Sequence, residues 1–252
     1  MRNIRVSVAY DGTDFVGWQS QDTGRSVQSV LEAVLAEIHK HPVTIYGAGR
    51  TDSGVHAAGQ VFNFYSDLET IPDARYASAL NRLLPADARA LESRAAGESF
   101  NARRDARLRE YRYYLYPARL VPPWLRRYVW GTSPLDLGRM NAMAAFLVGR
   151  HDFSSFAAVG DTNPAKVKEV FSAGFYVESP CVVFRITGKA FLWRMVRNIV
   201  GTMVMLVRGG AEAEVFRDIL AARESLHAGM TAPARGLFLH KVVYEDDTRN
   251  MY

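Results

Sequence analysis

Residues 43–65 read VTIYGAGRTDSGVHAAGQVFNFY. The β-branched and aromatic run Val43–Tyr46 predicts a strand that enters the turn Gly47-Ala48-Gly49, and Val61–Tyr65 predicts a second strand beyond it. Between them, Gly47 to His56 carries three glycines, two hydroxyls, one cation, one carboxylate and one imidazole. Glycines let the backbone turn tightly and let a ligand approach closely. A dinucleotide-binding fingerprint needs a third glycine where this chain has Asp52, and a carboxylate there would repel a pyrophosphate.

Working outward, Ile4–Tyr10 alternates apolar and polar residues with the period of a half-buried strand, and Asp11-Gly12 opens a turn after it. Ser26 is placed to cap a helix whose apolar set, Val27, Val30, Leu31, Val34, Leu35 and Ile38, lies on one face. A helix is expected over Pro72–Leu84, with Tyr76, Leu80, Leu83 and Leu84 turned inward. Farther on, the expected elements are a strand over Arg109–Tyr116, a helix over 136–148, strands over Val167–Glu178 and Val182–Thr187, a helix from Phe191, a helix over 212–222 and a strand over Leu237–Tyr244. Four prolines make Pro117–Pro134 the expected loop or linker. The order strand, helix, strand, strand, helix, strand occurs in the first half and loosely in the second. This predicts an α/β (α+β) protein: a central mixed, mostly antiparallel sheet built from two similar halves with helices packed on it. The halves are read as residues 1–106, carrying the aspartate loop, and 107–252, with the active site in the cleft between them.

The 252 residues carry 48% hydrophobic and 23% charged residues, close to the globular average, which excludes a disordered, collagenous or coiled-coil chain. The single cysteine, Cys181, excludes an internal disulfide and a Cys-rich zinc module and fits a reducing cytoplasm. Met1–Asp14 holds no apolar run of signal-peptide length, so a cytoplasmic location is expected. The apolar segment 190–207 is interrupted by Arg194, Arg197 and Asn198 and reads as a buried amphipathic helix, with no membrane partner implied. The six histidines are spaced for no metal site, and no metal is expected.

Net charge is +5, yet residues 101–130 alone carry eight arginines against Asp105 and Glu110. Tyr111, Tyr113, Tyr114, Tyr116, Trp124, Tyr128 and Trp130 interleave with them. Two readings fit: an RNA or DNA surface, where cations meet phosphates and rings meet bases, or a core of packed tyrosines in an arginine-rich chain. Asp52 is equally open, as a reactive carboxylate or as a turn residue and helix cap.

Seven ordered blocks resemble the TruA-type tRNA pseudouridine synthases: YDGTDFVGWQSQ (10–21), GAGRTDSGVHAAGQV (47–61), NRLLPAD (81–87), FNARRDARLREYRYYLY (100–116), HDFSSF (151–156), FLWRMVRNIVG (191–201) and APARGLFL (232–239). The resemblance implies an isomerase, an intramolecular transferase, that converts uridine to pseudouridine at positions 38, 39 and 40 of the tRNA anticodon stem-loop without a cofactor. It implies that Asp52 is catalytic, that Arg50 pairs with it, that Arg197 approaches it, that Tyr111 stacks on the target base, and that Leu237 lines the pocket. It further implies a cytoplasmic homodimer whose basic surface meets the anticodon stem-loop and elbow of tRNA. Asn101, Arg104, Lys166 and Lys168 depart from the usual pattern and leave these positions intact. Two rival readings differ in what they require: a noncatalytic tRNA-binding protein would have no need of Asp52, and a nucleotide-dependent oxidoreductase would use the Gly47 turn.

Overall fold

The computed structural model describes residues 1–224 and 229–249. They form two compact units, Met1–Arg107 joined by the chain from Phe238, and Leu108–Leu237. Each is a mostly antiparallel mixed sheet with helices. The proline-rich stretch 117–134 lies inside the second unit.

In the first unit, strand β1 (Arg2–Tyr10) buries Ile4, Val6, Val8 and Tyr10, as its alternation predicts. Helix α1 (Val27–His39) is capped by Ser26, whose side chain accepts from the Ser29 amide while the Ser29 hydroxyl bonds back. It stops where Lys40 turns left-handed at φ 63°. Short β2 (Tyr46–Gly47) precedes β3 (His56–Ser66), which pairs with β1 antiparallel. His39 ties α1 to the sheet, its ring edge-on to Phe64 and stacked on Tyr76.

The expected strand Val61–Tyr65 therefore starts five residues earlier. The small residues Ala57, Ala58 and Gly59 hide its alternation, and they are small because β10 (Leu237–Val243) pairs alongside in parallel, Phe238 opposite His56. A Cβ on Gly59 would stand 2.7 Å from the His240 carbonyl oxygen.

Instead of one helix over Pro72–Leu84 there is a 3-10 turn, Asp73–Arg75, and a six-residue α2, Tyr76–Asn81. Pro85 disfavours helical geometry at Leu84, and the early stop changes the phase. Leu84 is buried, whereas Leu83, expected inward, is 41% exposed. The strand β4 (Ala88–Ala96) pairs with β1 on its other side and was not anticipated. Its sequence ARALESRAA has no β-branched residue, and the pairing is imposed by β1.

In the second unit β5 (Leu108–Tyr116) pairs with short β6 (Trp130–Gly131) in parallel and with β9 (Cys181–Gly188) antiparallel. Beyond β9 come β8 (Val167–Glu178) and β7 (Gly149–Asp152). Since β7 covers only the first four residues of β8, Asn141 of helix α3 (Leu137–Ala145) bonds both backbone groups of Phe175 farther along that edge.

Helix α4 (Met195–Arg208) begins four residues later than Phe191, because Arg194 adopts φ 59° and starts a new direction. The apolar residues Leu192, Met195, Val196, Ile199, Met203 and Leu206 are buried, but so are Asn198, Gly201 and Thr202. The segment 229–232 covers that second face. The Gly229 amide donates to Thr202, and the Thr231 hydroxyl donates to Asn198. A Cβ on Gly201 would stand 1.7 Å from the Met230 carbonyl oxygen. Helix α5 (Ala213–Ala222) packs against α3 and α4, and a last turn α6 (Glu245–Arg249) follows β10 in the first unit. Among the described residues no helix is long and apolar enough to cross a membrane.

Candidate active site

Asp52 lies on the loop between β2 and β3, half-buried, with Arg50 exposed on the same loop. The turn just after it is closed by the Val55 amide on the Asp52 carbonyl, 3.1 Å. Both sides of the loop are fastened to the segment after β1. Tyr10 and Thr51 share a buried hydroxyl–hydroxyl bond of 2.8 Å, the Trp18 amide donates to the Thr51 carbonyl, and the Gly54 amide donates to the Phe15 carbonyl. Beneath, Gln60 donates to the Gly49 carbonyl, 2.9 Å.

Two glycines allow this fit. Gly12 lies so close to the loop that a Cβ on it would meet the Val55 carbonyl oxygen at 2.0 Å. Gly17, at φ +112°, occupies backbone space open to few other residues and passes beside Thr51 and Ser53. His56, fully buried, accepts the Gly12 amide at Nδ1, 3.0 Å, and stacks on Phe238 with ring centroids 4.5 Å apart. The imidazole therefore works as a fastener between β3 and the turn after β1.

Phe15 and Trp18, in the loop after β1, are core residues, 2% and 3% exposed. Trp18 also explains Gly47, where a Cβ would come within 2.5 Å of the indole. That removes the dinucleotide reading: the glycine makes room for a side chain, and the element after the turn is the strand β3. A pyrophosphate site of that type needs a helix N-terminus there.

Tyr111 projects from β5 opposite Ile186 of β9, 8% exposed, with the Phe191 ring edge-on at 5.1 Å. On the other face of β5, Glu110 accepts from Arg112 and Arg185, both at 2.8 Å. Burial opposes its charge, but those two guanidiniums prevail and hold the carboxyl below its ordinary value of 4.5. The Glu110 contribution to stability is thus complete above pH ~4.5 and fades as acid titrates the folded carboxylate. We expect Glu110→Gln to flatten the acid limb of a thermal-stability profile below pH ~5 and to cost about 1–3 kcal/mol at pH 7. Parallel acid limbs in the two proteins would show that another carboxylate governs it.

Arg197, on the first turn of α4, is half-buried and donates from Nε to the Ala232 carbonyl, 2.8 Å, while the Ala232 amide returns a bond to the Arg197 carbonyl. Leu237 is buried at the head of β10. Tyr113, next on the face of Tyr111, is fully buried and donates to the Pro233 carbonyl, 2.7 Å. Burial pushes its phenol far up, against the opposing charges of Arg197 and Arg235. Asp52 and Arg50 thus share one loop, and Tyr111, Arg197 and Leu237 belong to the second unit.

The basic, aromatic stretch 101–130 divides. Tyr113 and Trp130 are core and Tyr111 retains a small exposure, whereas Arg103, Arg104, Arg107, Arg119, Arg126 and Arg127 are exposed together with Trp124. Tyr10 is expected only as a strand residue, Gly12 only as a turn and His56 only as loop support, because their fastening function is contact between segments distant in sequence. The spacing of Asp11-Gly12 ahead of a glycine-rich loop was the one available signal. Among the described residues no group of three or more His, Cys, Asp or Glu side chains is placed to hold a metal ion.

A family model described as tRNA pseudouridine synthase matches residues 6–103 and 143–245. It includes Arg50, Asp52, Arg197 and Leu237, and Tyr111 falls in the gap. Relatives described as tRNA pseudouridine synthase A include one from Treponema denticola, 40% identical over 252 residues, with 98% of this chain and 94% of the relative covered. One from Anoxybacillus flavithermus is 41% identical, covering 98% and 100%, and one from Solidesulfovibrio magneticus is 42% identical, covering 97% and 92%. A solved structure titled "Crystal Structure of a Cbf5-Nop10-Gar1 Complex" aligns with TM-score 0.40 and 14% identity over 96% of this chain and 51% of that one.

Proposed function

Because this chain belongs to the tRNA pseudouridine synthase family, we propose that it isomerises uridine to pseudouridine at positions 38, 39 and 40 of the tRNA anticodon stem-loop, with Asp52 as the catalytic carboxylate. The observation that carries this reading is the fastening of the Asp52 loop: buried bonds and two close-fitting glycines hold a half-buried carboxylate that is itself left out of the packing core. A merely structural turn would not need so many anchors.

The reaction breaks the N1–C1′ bond, turns the uracil, and joins C5 to C1′. The C5 proton is lost and N1 gains one, so the product is an isomer and no redox partner is consumed. Asp52 supports this either as a nucleophile toward carbon or as a base toward a sugar proton. The base must leave the stem-loop stack, at a cost of a few kcal/mol. In this reading Tyr111 stacks on it, and its hydroxyl assists removal of the C5 proton. Arg50 and Arg197 are the cations of the site, Leu237 gives the base an apolar wall, and a cytoplasmic homodimer presents the basic surface to tRNA.

The test is pseudouridine mapping of unmodified tRNA after incubation with the purified protein. Product at 38–40 supports the proposal. A tRNA pool that is bound but unconverted would favour the noncatalytic rival. For Tyr111 we expect Phe to keep tRNA affinity and to lower turnover by roughly 10²-fold or more if the hydroxyl moves a proton. Full turnover in Tyr111→Phe would leave stacking as its whole contribution.

A further inference from the structure

Residues 104–142 lie between the two stretches matched by the family model, and part of them builds a surface feature that the Asp52 chemistry does not use. The chain after β5 folds back over β6. The Ala118 amide donates to the Tyr116 carbonyl, 2.8 Å, and a Cβ on Gly131 would meet the Val121 side chain at 2.5 Å and the Ala118 carbonyl at 3.0 Å. Val121 and Leu125 pack against a small core of Val129, Cys181 and Val183, which anchors the segment to β9. A concavity of about 370 Å³ results, lined by Arg119, Leu120, Val121, Arg126, Val129 and Arg235.

Three of those six residues are arginines, and no carboxylate is among them. Arg235 is held by an Nε bond to the Val129 carbonyl, 3.2 Å. Elsewhere in the molecule arginines beside carboxylates make ion pairs, as Arg25 does with Asp87 at 2.6 and 2.8 Å. Among the described residues Arg119, Arg126 and Arg235 have no such partner. Three arginines that line one open hollow with no carboxylate in its lining make a positive surface suited to an anion. The floor is fixed by packing and too open for a small enclosed ligand. Guanidiniums on such a floor suit an anion that is repeated and extended, because each fork matches one phosphodiester and the backbone continues beyond the rim.

We propose that Arg119, Arg126 and Arg235 form a binding site for the phosphodiester backbone of the RNA substrate. This rests on the tRNA reading above and adds the residues that grip the backbone. The site takes phosphates and reads no base edge, so it contributes affinity and register whatever the RNA sequence.

The experiment measures tRNA binding by the full chain across a range of salt. Removing two phosphate contacts with R119A/R126A should weaken binding at every salt and lower the log–log salt slope by about 2. The Lys pair R119K/R126K, which keeps the charge, should restore most of the slope. R75A/R150A, which removes equal charge from exposed positions in other segments, should leave the slope as in wild type. Thermal unfolding of each variant checks that the fold persists. An unchanged slope in R119A/R126A would overturn the site, and an equal drop in R75A/R150A would reduce it to overall charge. Wild type that binds tRNA with its full slope but makes no pseudouridine would sink the functional reading and leave the phosphate site standing. Wild type that binds no RNA would sink both.

Discussion

Asp52→Ala is expected to abolish pseudouridine formation while tRNA binding persists. Loss of a positioned acid or base costs roughly 10²–10⁴-fold, and loss of a nucleophile costs at least as much. Asp52→Asn, nearly isosteric and unable to act as base or carboxylate nucleophile, should lose the same amount, so the charge and not the volume is tested. Neither change touches the anchors of the loop, namely the Tyr10–Thr51 pair, the Gly54 amide on Phe15 and the Gly12–His56 bond. Thermal unfolding of both variants checks that the fold persists. Single-turnover conversion of unmodified tRNA, with binding measured in parallel, decides it. Product from either variant at the wild-type rate would place the chemistry on another residue.

Gly12→Ala is expected to damage both stability and turnover, although Gly12 carries no reactive group. Its Cβ would meet the Val55 oxygen at 2.0 Å, the Val55 carbon at 2.5 Å and the His56 nitrogen at 3.1 Å. All three are backbone atoms, so no side chain can swing aside, and the loop that bears Asp52 must move. Overpacking of this kind costs about 3 kcal/mol, at the upper end of the usual range. For a chain of this size that lowers Tm by roughly 6–12 °C. Turnover measured well below the new Tm should still fall, since a displacement near 1 Å at a catalytic group is worth on the order of 10²-fold. Gly97→Ala, where a Cβ would meet nothing within 4 Å, is the control and should be near neutral. If Gly12→Ala were less stable yet fully active once folded, the fit of the two loops would serve the fold alone.

These predictions separate what can be read along the chain from what cannot. Strand β1, helix α1 with its Ser26 cap, and strands β5, β8 and β9 follow from local periodicity, because each buries one face against whatever lies below it. The chemically loaded loop was legible too, since few folds need a carboxylate, a cation and three glycines within ten residues. Strand β4 and the first half of β3 were not legible. ARALESRAA and HAAGQ have no alternation of their own and become strands because β1 and β10 present unpaired backbone to them. Likewise α4 reads as one-faced, and only the return of 229–232 shows why Gly201 and Asn198 lie inside.

By itself, then, the sequence determined the mostly antiparallel α/β class, the presence of the strongly periodic elements and the family to which the chain belongs. These depend on residue type and on spacing over a few positions. The tertiary structure alone decided that Trp18 and Phe15 are core and that His56 fastens β3 to the Gly12 turn. It also decided which arginines of a basic stretch line one hollow while Tyr113 is buried. The physical reason is the same for all of them: the free energy of a buried ring, a backbone bond or an unpaired charge depends on neighbours that the chain brings together from far apart.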